Sequence, residues 1–101
     1  MPRIRIVWTP PAQEDLCQIR RYIARDSPQT ASSFIKRIRA SVRRLSQFPE
    51  LGAVLEERHD PEIQEILYGS YRIIYRFHRP TVFVLAVYHG ARLLGEDEFP
   101  E

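Results

Sequence analysis

The 101 residues carry 15 basic and 13 acidic side chains, three histidines and one cysteine, for a net charge of +2. A chain of this length supports one hydrophobic core and not two independently stable units, which excludes a multidomain enzyme. A single cysteine excludes an internal disulfide and a four-cysteine zinc site.

Residues 3–8 alternate charged and apolar side chains and end in a Val-Trp pair, the pattern of a short strand with one solvated face. Residues 1–9 lack the apolar core and cleavage site of a secretory signal, and no apolar run reaches the roughly 20 residues needed to cross a bilayer. The expected location is therefore the cytoplasm, with no membrane contact. Thr9-Pro10-Pro11 opens a helix, since Thr suits the N-cap and proline is tolerated in the first turn. Glu14 and Asp15 suit the positive end of its dipole, and Ala12, Leu16, Ile19 and Ile23 form its apolar stripe. Cys17 is expected to be a small buried residue rather than a nucleophile, because no His or Asn lies near it in sequence and burial makes thiols inert.

Asp26-Ser27-Pro28 ends this helix, with Ser27 as the cap of a second helix that runs to about residue 48. Ala31, Phe34, Ile35, Ile38, Val42 and Leu45 form the second stripe, and Lys36, Arg37, Arg43 and Arg44 spread over the rest of the circumference. So short a connection implies an antiparallel hairpin. Residues 50–61 are acidic and without periodicity, which reads as a crossing loop. Three apolar runs follow, 62–68, 71–78 and 81–89, separated by Gly69-Ser70 and Arg79-Pro80. Turns this tight favour an antiparallel meander. Alternation puts Tyr71, Ile73, Tyr75 and Phe77 on one face and Arg72, Ile74, Arg76 and His78 on the other. The first face is expected to meet the helices and the second to reach solvent or a partner. The order β-α-α-β-β-β describes an α+β domain in two layers, a helical hairpin packed on a mainly antiparallel sheet. It covers residues 1–95, with residues 96–101 an acidic C-terminal tail.

Charge is segregated along this order. Residues 10–48 hold eight basic and three acidic groups, 49–70 one and six, 71–90 three and none, and 91–101 one and four. Fourteen of the 15 basic residues are arginine, which offers a planar fork of donors and keeps its proton, so a catalytic lysine is nearly excluded.

No metal or cofactor is expected. His59, His78 and His89 have no ligand spacing, and the glycines at 52, 69, 90 and 95 stand singly, so there is no phosphate-cradling loop. What remains is Arg72, Arg76, His78, His89 and Arg92 with Tyr68, Tyr71, Tyr75 and Tyr88. Such a set can grip a phosphodiester backbone and stack bases. It can also cleave RNA without metal, provided a general base, a general acid and a cation converge on one phosphate. Arg72 serves only as the cation, so a histidine, His89 first, must move the protons, its ordinary pKa of ~6.5 suiting both directions. Each residue has a plainer role as well: His89 as a hydrogen-bonded strand end, the tyrosines as packing, Arg72 and Arg76 as the solvated side of a strand, and the hairpin arginines as a solvated helix surface.

The run WTPPAQEDLCQIRRYIARDSPQTASSFIKRI, then LSQFPELG, YGSYRIIYRF and VYHGARLL, resembles the RelE/ParE superfamily of toxins from type II toxin–antitoxin systems, over residues 8–94. The resemblance implies the same β-α-α-β-β-β fold and a cognate antitoxin, ParD-like or RelB-like. Its acidic segment would fold against the toxin in a hetero-oligomer held by salt-sensitive ion pairs. RelE-like members are ribosome-dependent mRNA endonucleases that use lysines on the first meander strand, an arginine on the second and basic or tyrosine residues near the C-terminus. Arg72 matches the central arginine and Arg92 the later one, but the lysine-bearing strand here reads EIQEIL, whose carboxylates repel phosphate, and the terminal tyrosine is missing. ParE-like members share the fold and act without an enzymatic step, by inhibiting DNA gyrase.

The resemblance therefore implies a ParE-like, gyrase-inhibiting toxin of growth arrest and plasmid stabilisation, with no catalytic residue. Target or antitoxin binding then falls to Arg72, Arg76 and Arg92 and to Arg37 and Arg44 on the hairpin. The alternative is a RelE-like mRNA interferase with Arg72, His89 and Arg92 in catalysis. A third reading is an interaction module without toxicity.

Overall fold

The computed structural model describes residues 3–55 and 59–90. Strand β1 (Arg5–Trp8) leads into helices α1 (Pro10–Ala24) and α2 (Pro28–Arg43), and strands β2 (Ala53–Val54), β3 (Ile63–Tyr68), β4 (Tyr71–His78) and β5 (Thr81–His89) follow. The sheet order is β1-β5-β4-β3-β2, with β1 parallel to β5 and the other pairs antiparallel. The α+β architecture expected from the sequence is the one found.

Both caps form as their residue types dictate. The Thr9 hydroxyl accepts from the Ala12 N–H and donates to the Val84 carbonyl at 2.7 Å, so one side chain starts α1 and ties it to β5. The Ser27 hydroxyl accepts from the Thr30 N–H. The carboxylates of α1 lie past its first turn, and Asp15 instead accepts a hydrogen bond from the Val87 N–H at 2.9 Å. That donor is on the edge of β5 beyond the reach of β1, whose pairing stops at Trp8 and Val84; a helix carboxylate replaces the missing strand neighbour.

Two boundaries differ from the sequence reading. Helix α2 ends at Arg43 and tightens into a 3-10 turn over Arg44–Ser46, a common way to end a helix. The loop expected at 50–61 contains β2, whose Ala53 and Val54 pair with Glu65 and Gln64, so five strands form among the described residues. Gly52 precedes it because nothing larger fits: a Cβ there would stand 2.5 Å from the Glu65 carbonyl oxygen.

The stripes of both helices meet the inner face of the sheet. Ala12, Leu16, Ile38, Val42 and Leu45 pack with Ile66, Ile73, Tyr75, Val82, Val84 and Val87. Within this core the Tyr75 hydroxyl accepts from the Gly52 N–H at 2.9 Å and shares its proton between Gln64 Oε1 at 2.8 Å and the Pro49 carbonyl at 2.9 Å. Burial pushes its phenol pKa up, a shift the Gly52 hydrogen bond partly offsets.

Cys17 is exposed rather than buried. It follows Leu16 by one residue, about 100° around the helix from the apolar stripe. The outer face of the sheet also departs from expectation, because it carries a second apolar cluster of Leu55, Ile63, Ile74, Leu85 and Ala86. A β-bulge builds it: Ile74 pairs with Ala86 but Tyr75 with Val84, so Leu85 is an extra residue that lets two successive side chains face outward.

Candidate interaction surface

Alternation assigns Arg72, Arg76 and His78 to the outer face of β4, and cross-strand carboxylates meet them there. Glu65 pairs in register with Ile74, and Leu67 with Arg72, so Glu65 and Arg72 are diagonal neighbours within reach of long side chains. Arg72 Nε donates to Glu65 Oε2 at 2.6 Å, and the two side chains are only 14% and 22% exposed. Arg76 donates to Asp60 and Glu62, both at 3.1 Å, and His78 Nδ1 stands 2.9 Å from Glu62. Carboxylates of β3 and the turn before it thus neutralise the arginine-bearing face, which was expected to meet solvent or a partner.

Hydrogen bonds from His78 and then Arg76 hold the Glu62 carboxyl below its ordinary 4.5. A lowered folded-state pKa contributes stability that is complete above the unfolded value and lost as pH falls through the folded one. The wild type should therefore unfold at a higher temperature than Glu62→Gln at neutral pH, with the gap closing as the pH is brought below the ordinary carboxylate value of 4.5. A gap that is constant across this range in paired melting curves would reject the assignment.

His89 belongs to the other side of the sheet. It pairs with Tyr71, their rings meeting edge to face at 5.4 Å, and Tyr71 also packs on Phe34 of α2 at 5.1 Å. Tyr88, opposite Arg72 in the ladder, lies with the outer cluster. Arg72 and His89 consequently project from opposite faces and do not converge on one phosphate. Arg37 lines a shallow pocket of about 500 Å³ beside Phe34 and Tyr68, and Arg44 is exposed in the 3-10 turn. Arg92, the boundary at 95 and the tail at 96–101 lie outside the described residues.

Sequence reasoning missed a different concentration of cations. Arg3, Arg5, Arg43 and Arg79 line a groove of about 720 Å³ between β1 and the end of α2. No local pattern announces it, since the four come from three separate segments that only the tertiary fold assembles, the parallel β1–β5 pairing bringing Arg79 beside Arg5. No group of three or more His, Cys, Asp or Glu able to hold a metal occurs among the described residues, and none of their helices is long and apolar enough to cross a membrane.

The sequence matches, over residues 6–94, the family described as ParE toxin of type II toxin-antitoxin system, parDE. No curated protein gives a match. In fold the chain is similar to a chain of the chromosomal ParDE TA system from P. aeruginosa, with a TM-score of 0.70 and 20% identity, covering 86% of this chain and 96% of that one. It is also similar to a chain of the toxin-antitoxin complex RelBE2 from Mycobacterium tuberculosis, with a TM-score of 0.61 and 23% identity, covering 86% of this chain and 98% of that one.

Proposed function

This chain belongs to the ParE toxin family of type II toxin–antitoxin systems, and we propose that it arrests growth by inhibiting DNA gyrase in the cytoplasm until a cognate antitoxin neutralises it. The observation that carries this reading is the separation of Arg72 from His89 by the thickness of the sheet. Metal-independent RNA cleavage needs a cation and a proton-transfer group on the same phosphate. Here the cation is bound to Glu65, and the imidazole faces the helices. Among the described residues no such constellation forms, and in this reading harm is delivered by binding a protein that itself breaks and rejoins DNA.

Purified toxin in molar excess should reduce supercoiling of relaxed plasmid by gyrase, and pre-incubation with the antitoxin encoded beside it should restore activity. Unchanged supercoiling, with transcripts cut in a translating extract, would replace this reading with the mRNA endonuclease. In that extract His89→Ala is expected to behave as the wild type, whereas loss of a general acid or base lowers cutting by roughly 10²-fold or more.

A further inference from the structure

The groove beside β1 differs from the β4 surface in one decisive respect. Arg72 and Arg76 are held by carboxylates, whereas no acidic side chain among the described residues lines the groove. Arg3, Arg5, Arg43 and Arg79 form no ion pair among the described residues. Arg39, one helical turn before Arg43, lies over the Trp8 ring at 5.1 Å and extends the cationic stripe along α2. Like charges gathered this way repel one another and raise the local potential, and an anion laid between them relieves both.

The chemistry of the lining selects the anion. Guanidinium forks match phosphate oxygens in pairs, and Ser46 and Gln47, also in the groove, add neutral donors of the kind that contact nucleic-acid backbones. An acidic peptide would draw its affinity from apolar anchors set in pockets. The apolar side chains of the wall are Ile4, which is buried, and Ile6 and Pro49, which are half-buried, whereas its four arginines are all exposed. We infer that this groove holds the phosphate backbone of duplex DNA, by charge and without reading sequence. The choice of duplex rests on the gyrase reading, in which the toxin meets its target on DNA.

Fluorescence anisotropy of the full chain on a labelled duplex of about 20 base pairs, a length that stays rigid, tests this directly. Log affinity should fall linearly with log salt. Arg43→Gln and Arg79→Gln should each weaken binding about five- to tenfold and flatten the slope by about one. Arg5→Gln, on an exposed strand position, provides a third variant should either of the others fold poorly by circular dichroism. Arg20→Gln and Arg21→Gln, exposed on α1 away from the groove, should bind as the wild type does. Unchanged affinity in the groove variants would overturn the site, and polyglutamate competing as well as duplex at equal charge would overturn the ligand. Gyrase assays on the same proteins separate the two levels. Inhibition by the wild type with groove-independent DNA binding defeats the groove alone. Groove-dependent DNA binding without inhibition defeats the gyrase reading alone.

Discussion

Tyr75→Ala should lower the free energy of unfolding by roughly 3–5 kcal/mol, the range for truncating a buried aromatic side chain. Tyr75 has no exposed surface, and its ring lies in the core between α2 and the sheet. Domains of this kind are stable by only about 5–15 kcal/mol, so the alanine variant should lose a large share of its stability. Tyr75→Phe isolates the hydroxyl. It leaves the Gly52 N–H and the Pro49 carbonyl without their partner and should cost about 1–3 kcal/mol. Urea unfolding of both variants, at unchanged slope, measures the two contributions. A phenylalanine variant as stable as the wild type would mean that the hydroxyl does not anchor residues 49–52. Gly52→Ala probes the same anchor from the other side, since the added carbon would stand 2.6 Å from the Tyr75 hydroxyl oxygen.

Ile38→Ala should cost about 2–5 kcal/mol, because a side chain with no exposure at the centre of α2 leaves a cavity that rigid neighbours cannot fill. At roughly 4–8 °C per kcal/mol for a domain near this size, the melting temperature should fall by about 10 °C or more. Ile19→Ala, on a half-buried position of α1, should cost clearly less. Equal losses at the two sites in calorimetry would place the core elsewhere than between α2 and the sheet.

Much of this architecture is legible in the sequence, and for identifiable reasons. Thr9-Pro10 and Ser27-Pro28 state helix starts in local chemistry, and Gly69, at φ 58°, supplies the left-handed residue that the β3–β4 turn requires. The exposed Cys17 was legible too, since its place beside Leu16 sets it off the apolar stripe, and the general tendency of cysteine to be buried is the weaker signal. Strand β2 was not, because two residues in an acidic segment show no period. The bulge was not legible either, because Val82-Phe83-Val84-Leu85-Ala86-Val87 is six apolar residues in succession, with no alternation for it to interrupt.

The arginine pairs illustrate a more general limit. Alternation places Arg72 and Arg76 on the outer face, and Glu62 and Glu65 are visible as carboxylates on the preceding run. Only the register of β3 against β4 makes them partners, and register is a tertiary property. The groove is the extreme case, since Arg79 lies more than seventy positions from Arg5 in the chain, yet the turn that carries it opens β5, which runs beside β1.

The parallel seam between β1 and β5 also bears on how the molecule is made. Among the described residues the first strand to leave the ribosome has its sheet partner in the last, so the layer stays open along that side until translation has passed Val84. Contacts this distant in sequence slow folding, and the hairpin α1–α2, with only local contacts to make, can form well ahead of the sheet that covers it. A nascent copy therefore reaches its finished shape only after almost every described residue has been synthesised.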